Sequence, residues 1–336
     1  MSAERRRFGR EWDNIVAACR DRTSDAPRRG GRQPAAFAAL SLAVARNAAS
    51  IGYYVLMDAS AVSGPDPGFA EHLTSEDWRL LRSAAGGGQD RGIEALLGDA
   101  RVFDAVFGRP AAGFVTVSPF LAFAVAVHRA AADLAASGYV PERSGLRQRV
   151  PLFDAPQLRD FLSSADRRLF LAELLASFTR VASGRYRVRA GGRTRSRRFS
   201  ELDPVRLAGL LDAVPQESRP GVYRRLGDVS LFLAGVFPGY SAAGAFGPVD
   251  TERLLRLARV PASDRGHMAA APAIDLLEYL GSRWYRTAVA LAPVPTARLT
   301  AVGEVAERFR HARRILNHLA DHYLLGPDSP WFTAPG

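Results

Sequence analysis

The sequence predicts a mostly α fold: a multi-helix, bundle-like domain carrying one short arginine-rich β-hairpin near residues 185–199. Three observations predict it. Apolar residues recur at three- and four-residue spacing through most of the chain, most regularly in Val302, Val305, Phe309, Ala312, Leu316, Leu319 and Tyr323. Ser, Thr, Asp or Pro opens most of these stretches, where an oxygen acceptor or a preset φ starts a helix. Only Gly184 to Phe199 drops this period and alternates about a Gly191-Gly192 turn.

Taken in order, residues 1–33 hold nine arginines against five acids and read as a basic, partly flexible arm. A helix is expected from about Pro34 to Ala59, with Phe37, Leu40, Val44, Ile51 and Tyr54 on one stripe. The next begins at Thr74-Ser75, with Glu76 and Asp77 in its first turn, and ends near Gly86-Gly87-Gly88. A third spans about Gly92 to Phe107. Ser118-Pro119 opens a fourth, and Gly138 is placed to end it with a left-handed cap. The stretch Tyr139–Pro151 reads as irregular and as the best boundary between helical subdomains over 34–140 and 141–330, unless 34–330 is one continuous domain. Beyond it, Asp154 is expected to cap a short helix, and Asp166 or the serines before it a longer one ending at Gly184. Asp203-Pro204, Pro220, Asp250 and Pro272 mark further starts, and the Val302–Tyr323 stripe predicts one unbroken last helix.

Composition excludes several chemistries. All 45 basic residues are arginine, with no lysine, so Walker-type phosphate loops, pyridoxal phosphate enzymes and Schiff-base aldolases are ruled out. Scarce Ile and Asn point to a GC-rich genome as the source of that bias. A net charge of +11 built from guanidinium groups favours phosphate partners all the same. The single cysteine, Cys19, cannot form an internal disulfide and fits a reducing compartment, so cytoplasm is the expected location. The arginines of MSAERRRFGREWD are followed by no uninterrupted apolar run, so no secretory signal is read there. The longest apolar stretches are interrupted or too short to span a bilayer, and no membrane partner is expected.

The strongest electrostatic feature is the hairpin. Arg180, Arg185, Arg187, Arg189, Arg193, Arg195, Arg197 and Arg198 fall in 19 residues, with no acid between Glu173 and Glu201. Alternation puts Tyr186, Val188 and Phe199 on one face and arginines on the other, with Tyr186 or Phe199 available to stack on a base. A solvated hairpin whose arginines pair with acids elsewhere is the competing reading. Asp228 sits in a helix apolar nearly all round, with Arg224 and Arg225 at i−4 and i−3 to pair with it. It is either a packing ion pair or a general base. Asp58 continues the stripe through Asn47 and Tyr54, as a cap or a pocket residue. Tyr279 and Arg283 on the Pro272 helix are further pocket candidates. His311, His318 and His322 share a helix but flank its apolar seam, and no metallopeptidase motif accompanies them, so neither metal nor cofactor is expected. Nucleophile-elbow, dinucleotide and Cys-x-x-Cys motifs are absent.

These features predict a polyanion-binding helical protein whose partner is RNA, tRNA favoured, because a projecting ribbon suits shape reading better than duplex DNA. If the protein is an enzyme, a tRNA-dependent transferase drawing on an activated ester is the coherent form, with Asp228 or Asp58 as base. The alternatives are a small-molecule protein with an interhelical pocket, or a scaffold for an acidic protein.

Overall fold

A computed structural model of the chain describes residues 68–86, 91–108, 117–143, 149–152, 154–190, 193–238 and 246–325. The expected arm over 1–33 and the Pro34–Ala59 helix lie outside them. A 3-10 turn, Phe69–His72, leads into α1 (Ser75–Ala84), α2 (Ile93–Leu97), α3 (Ala100–Phe107) and α4 (Pro119–Ala136). An antiparallel ribbon, β1 (Val140–Arg143) with β2 (Arg149–Leu152), precedes α5 (Ala155–Ser163) and α6 (Ala165–Ser177). The arginine hairpin, β3 (Ser183–Ala190) with β4 (Arg193–Ser200), follows. Then come α7 (Pro204–Ala208), α8 (Arg219–Val236), α9 (Pro248–Leu257), α10 (Ala262–Ala270), α11 (Ala273–Leu291), α12 (Ala297–Glu307) and α13 (Phe309–Leu319). The fold is mostly α, as the periodicity predicts.

The core is organised around α8. Every residue from Pro220 to Val236 except Asp228 is buried, because α11 and α13 pack along this helix, which explains an apolar sequence with no solvent face. Two glycines set close approaches in this core, Gly227 that of α8 to α11 and Gly281 that of α11 to α13. A Cβ at Gly227 would lie 2.4 Å from the Tyr285 ring, and one at Gly281 would lie 2.3 Å from Phe309. Helix α4, long and apolar enough by composition to cross a bilayer, is mostly buried and packs against α6.

Several starts form where the residues place them. Thr74 and Asp77 make a reciprocal capping box, and Asp77 also accepts the Ser118 amide at 2.9 Å, tying the starts of α1 and α4 together. Ser118 caps α4, Ser164 caps α6 and Asp203 accepts two amides at the start of α7. Other expectations fail for local reasons. The helix expected over Gly92–Phe107 is divided at Gly98-Asp99, because Asp99 accepts the Arg101 amide and caps a new helix. Helix α4 ends on extended Ser137 and not on a left-handed Gly138. Asp154 heads α5 without a side-chain cap, since its carboxylate goes to Arg314. Helix α6 stops at Ser177, short of Gly184, and α9 starts at Pro248, ahead of Asp250. The segment read as irregular folds in part into the β1–β2 ribbon, and Glu142 in it pairs with Arg313 and Arg314. The last helix is broken at Arg308 (φ −114°, ψ 30°), where the Ser282 hydroxyl donates to the Ala306 carbonyl at 2.7 Å. That carbonyl would otherwise accept from the amide of Arg310.

The expectation that the three histidines flank the seam fails at His318, which is buried after the Arg308 break, whereas His322 is exposed. Burial and the neighbouring His322 push the His318 imidazole down to about 4, against the pull of Asp133. The folded chain therefore holds His318 neutral where the unfolded chain protonates it. Its contribution to stability is present above about pH 6.5 and lost as pH falls toward about 4. Urea denaturation at pH 7 and pH 5 will show a loss of stability on acidification that is smaller in His318→Phe, which keeps a ring without the titration. Equal losses in both proteins would remove His318 as a source.

Candidate functional site

The hairpin is held by its two aromatic residues and by its first following acid. Tyr186 and Phe199 are 3% and 5% exposed, with ring centroids 6.5 Å apart. Phe199 lies over the bare backbone of Gly184, its cross-strand partner, and the Tyr186 hydroxyl reaches Gly209 in the 3-10 turn Gly209–Asp212. Burial raises the Tyr186 phenol above its ordinary range, with Arg197 opposing. These rings anchor the ribbon to the body and are not free to stack on a base, which corrects one sequence expectation.

The register corrects another. Residues paired across an antiparallel ribbon share a face. Tyr186↔Arg197, with Arg195 two residues before Arg197 on the same strand, places two arginines on the aromatic face. Arg185↔Arg198 and Arg187↔Ser196 place three on the other. The arginines therefore cover both faces. Arg185, Arg187, Arg195, Arg197 and Arg198 are exposed. Within the described residues, only Arg197 of these five has an acidic partner, Asp212 at 3.9 Å.

At the foot of the ribbon lies a groove of about 710 Å³, between the start of β3, α6, α8 and the Phe69–His72 turn. That volume falls in the range of ligand pockets. Arg225 fixes one wall. Its guanidinium donates to Glu201 at 3.1 Å and to the Ser177 hydroxyl at 2.7 Å, and stacks 4.0 Å over Phe178. Glu201 also takes the Ala182 amide at 3.0 Å, so this pair clips both ends of the hairpin to α8. Opposite, Glu173 lies 2.8 Å from His72 and 3.1 Å from Arg298. Burial pushes the Glu173 carboxyl up, but His72, Arg298 and Arg224 outweigh it and hold it below the usual carboxylate range. Arg180, exposed at the hairpin's start, and Arg224 complete a lining of mixed sign.

The candidate residues divide three ways. Arg224 and Arg225 line the groove, and Asp228 lies one turn on, its side chain 13% exposed. Tyr285 donates to Asp228 at 2.8 Å, and Arg225 approaches at 3.8 Å. Burial raises the Asp228 carboxyl above its ordinary range, with Arg224 and Arg225 opposing, and it drives the Tyr285 phenol well above its own. Tyr279 and Arg283 are placed elsewhere. Tyr279 packs on the core, and Arg283 holds the carbonyls of Ala258 and Arg259 at 2.6 and 2.7 Å after α9. Asn47, Tyr54 and Asp58 lie outside the described residues. No group of three metal-ligating side chains occurs among the described residues. Sequence reasoning missed Glu173, Glu201, His72 and Arg298. Glu173 carries the same signal as Asp228, an acid inside an apolar run, whereas His72 on its turn carries none.

No family model, curated protein or solved structure matches the chain.

The contacts of Asp228 set an expectation. Asp228→Ala leaves the Tyr285 hydroxyl buried and unpaired, costing about 1–3 kcal/mol. That is less than the ~3–5 kcal/mol of a broken sole pair, because Arg225 keeps Glu201. Asp228→Asn keeps an acceptor for Tyr285 and removes a charge that burial disfavours, so it will lie within about 1 kcal/mol of the parent. Chemical denaturation of both variants checks the order; an Asn variant as unstable as the Ala variant would show that the charge itself is required.

Proposed function

We propose that the protein binds RNA, tRNA favoured, through the two arginine faces of the hairpin. The observation that carries this reading is a contrast in how the chain uses arginine. Over most of the body, guanidinium groups meet carboxylates: Arg167 with Glu304, Arg168 with Glu94, Arg298 with Glu173, Arg308 with Asp160, and Arg313 with Glu278 and Glu142. A genomic preference for arginine acts on the whole sequence, yet on this one projection Arg185, Arg187, Arg195 and Arg198 are exposed and meet no carboxylate among the described residues. Like charges gathered there repel one another, and a polyanion relieves that cost. A ribbon charged on both faces suits a flexible or looped strand that wraps it better than a flat surface. Buried Tyr186 and Phe199 leave affinity to phosphate contacts, so little sequence preference is expected. Asp228, occupied by Tyr285 and Arg225 and outside the groove's lining, gives no support to a group-transfer step.

A small-molecule reading has one observation in its favour, the volume and mixed lining of the groove. Salt separates the two. Each phosphate neutralised on a single strand contributes about −0.7 to the slope of log K against log salt, so four contacts give roughly −3. Fluorescence anisotropy with a labelled tRNA will show that slope. A variant with Arg185, Arg187, Arg195 and Arg198 changed to Ser will lose most of the affinity while melting within a few degrees of the parent, because exposed charges contribute little to folding. Binding unaltered by those four changes would overturn the reading.

A further inference from the structure

His72 and Glu173 form an imidazole–carboxylate pair on the groove wall that hairpin binding does not use. Nε2 of His72 lies 2.8 Å from Oε1 of Glu173, and the imidazole packs on Phe120 with centroids 4.4 Å apart. The ring is thus held in its plane by one contact and in its rotation by the other. Glu173 is 17% exposed and sits among His72, Arg298 and Arg224, so it stays an anion in spite of burial. Nε2 of His72 also lies 3.3 Å from Nη2 of Arg298, and in the tautomer that gives the Nε2 hydrogen to Glu173 the unprotonated nitrogen is Nδ1. The His72 side chain is 30% exposed and lines the groove. Arg180 and Arg224 line the same space, and Arg180 joins it to the arginine hairpin.

We propose, resting on the RNA-binding reading, that this groove cleaves RNA by transesterification, with His72 as general base and Glu173 as its positioning residue. Nδ1 of His72 takes the proton of a ribose 2′-hydroxyl as the 2′-oxygen forms its bond to the adjacent phosphorus. The bond from phosphorus to the 5′-oxygen breaks, and that oxygen leaves with the electron pair and takes a proton from water. The imidazolium then returns its proton to the resulting hydroxide. The products are a 2′,3′-cyclic phosphate and a 5′-hydroxyl, so no redox partner or group donor enters the balance. Guanidinium groups of Arg180 and Arg224 face the charge that builds on the non-bridging oxygens.

The test uses the full chain, in chelator, with a short unstructured RNA and the same sequence made entirely of 2′-deoxynucleotides. The RNA is expected to yield fragments ending in 2′,3′-cyclic phosphate, while the deoxy strand is bound and left intact. His72→Ala and His72→Gln, purified in parallel and checked by melting, are expected to lose about 100-fold or more of the cleavage rate, the range of a general base. Their binding of the deoxy strand will stay at the parent level. Binding of RNA without cyclic-phosphate ends, or cleavage at the parent rate by a folded His72 variant, would overturn this proposal alone. Failure to bind either strand would overturn it together with the RNA-binding reading.

Discussion

Between the buried face of α8 and the foot of the hairpin, one guanidinium serves several partners at once. Arg225 bonds Glu201 and Ser177, lies over Phe178 and approaches Asp228. A charge placed in that position has to be neutralised, since an unpaired buried ion costs several kcal/mol. Glu201 meets the requirement and also holds the Ala182 amide at the other end of the ribbon. The groove wall and the root of the projection therefore share one ion pair, and whatever moves the hairpin moves the groove.

The rest of the arginine usage follows the same electrostatic rule with different outcomes. Inside the body, long side chains reach between elements far apart in sequence. Arg313 joins α13 to Glu278 on α11 and to Glu142 on β1, and Arg314 joins the same helix to Asp154 before α5. Those pairs do for this chain what lysine and arginine share in others. On the hairpin the acids stop, and the same residue type becomes an exposed field anchored by two buried rings.

Local signals were the legible ones. Capping residues before α1, α4, α6 and α7, the apolar run of α8 and the alternation through β3 and β4 each act within a few residues, and each formed its element. What depends on distant partners was not legible. The break at Arg308 needs the Ser282 hydroxyl from another helix. The strand register, which turns a one-faced ribbon into a two-faced one, depends on how Phe199 seats over Gly184. Of the candidate site, Arg224, Arg225 and Asp228 were found because charges in an apolar run must have partners. The His72–Glu173 pair joins residues a hundred positions apart, and no local pattern announces it.

The central claim is that the hairpin is a working surface and not a by-product of arginine-rich composition. Ultraviolet cross-linking of the full chain to a labelled tRNA, followed by mass spectrometry of the linked peptides, tests it most directly. The account predicts cross-links on peptides covering Arg180 and residues 183–200, lost at high salt as phosphate contacts are displaced. Cross-links confined to other helices, with the hairpin peptides unmodified, would contradict it.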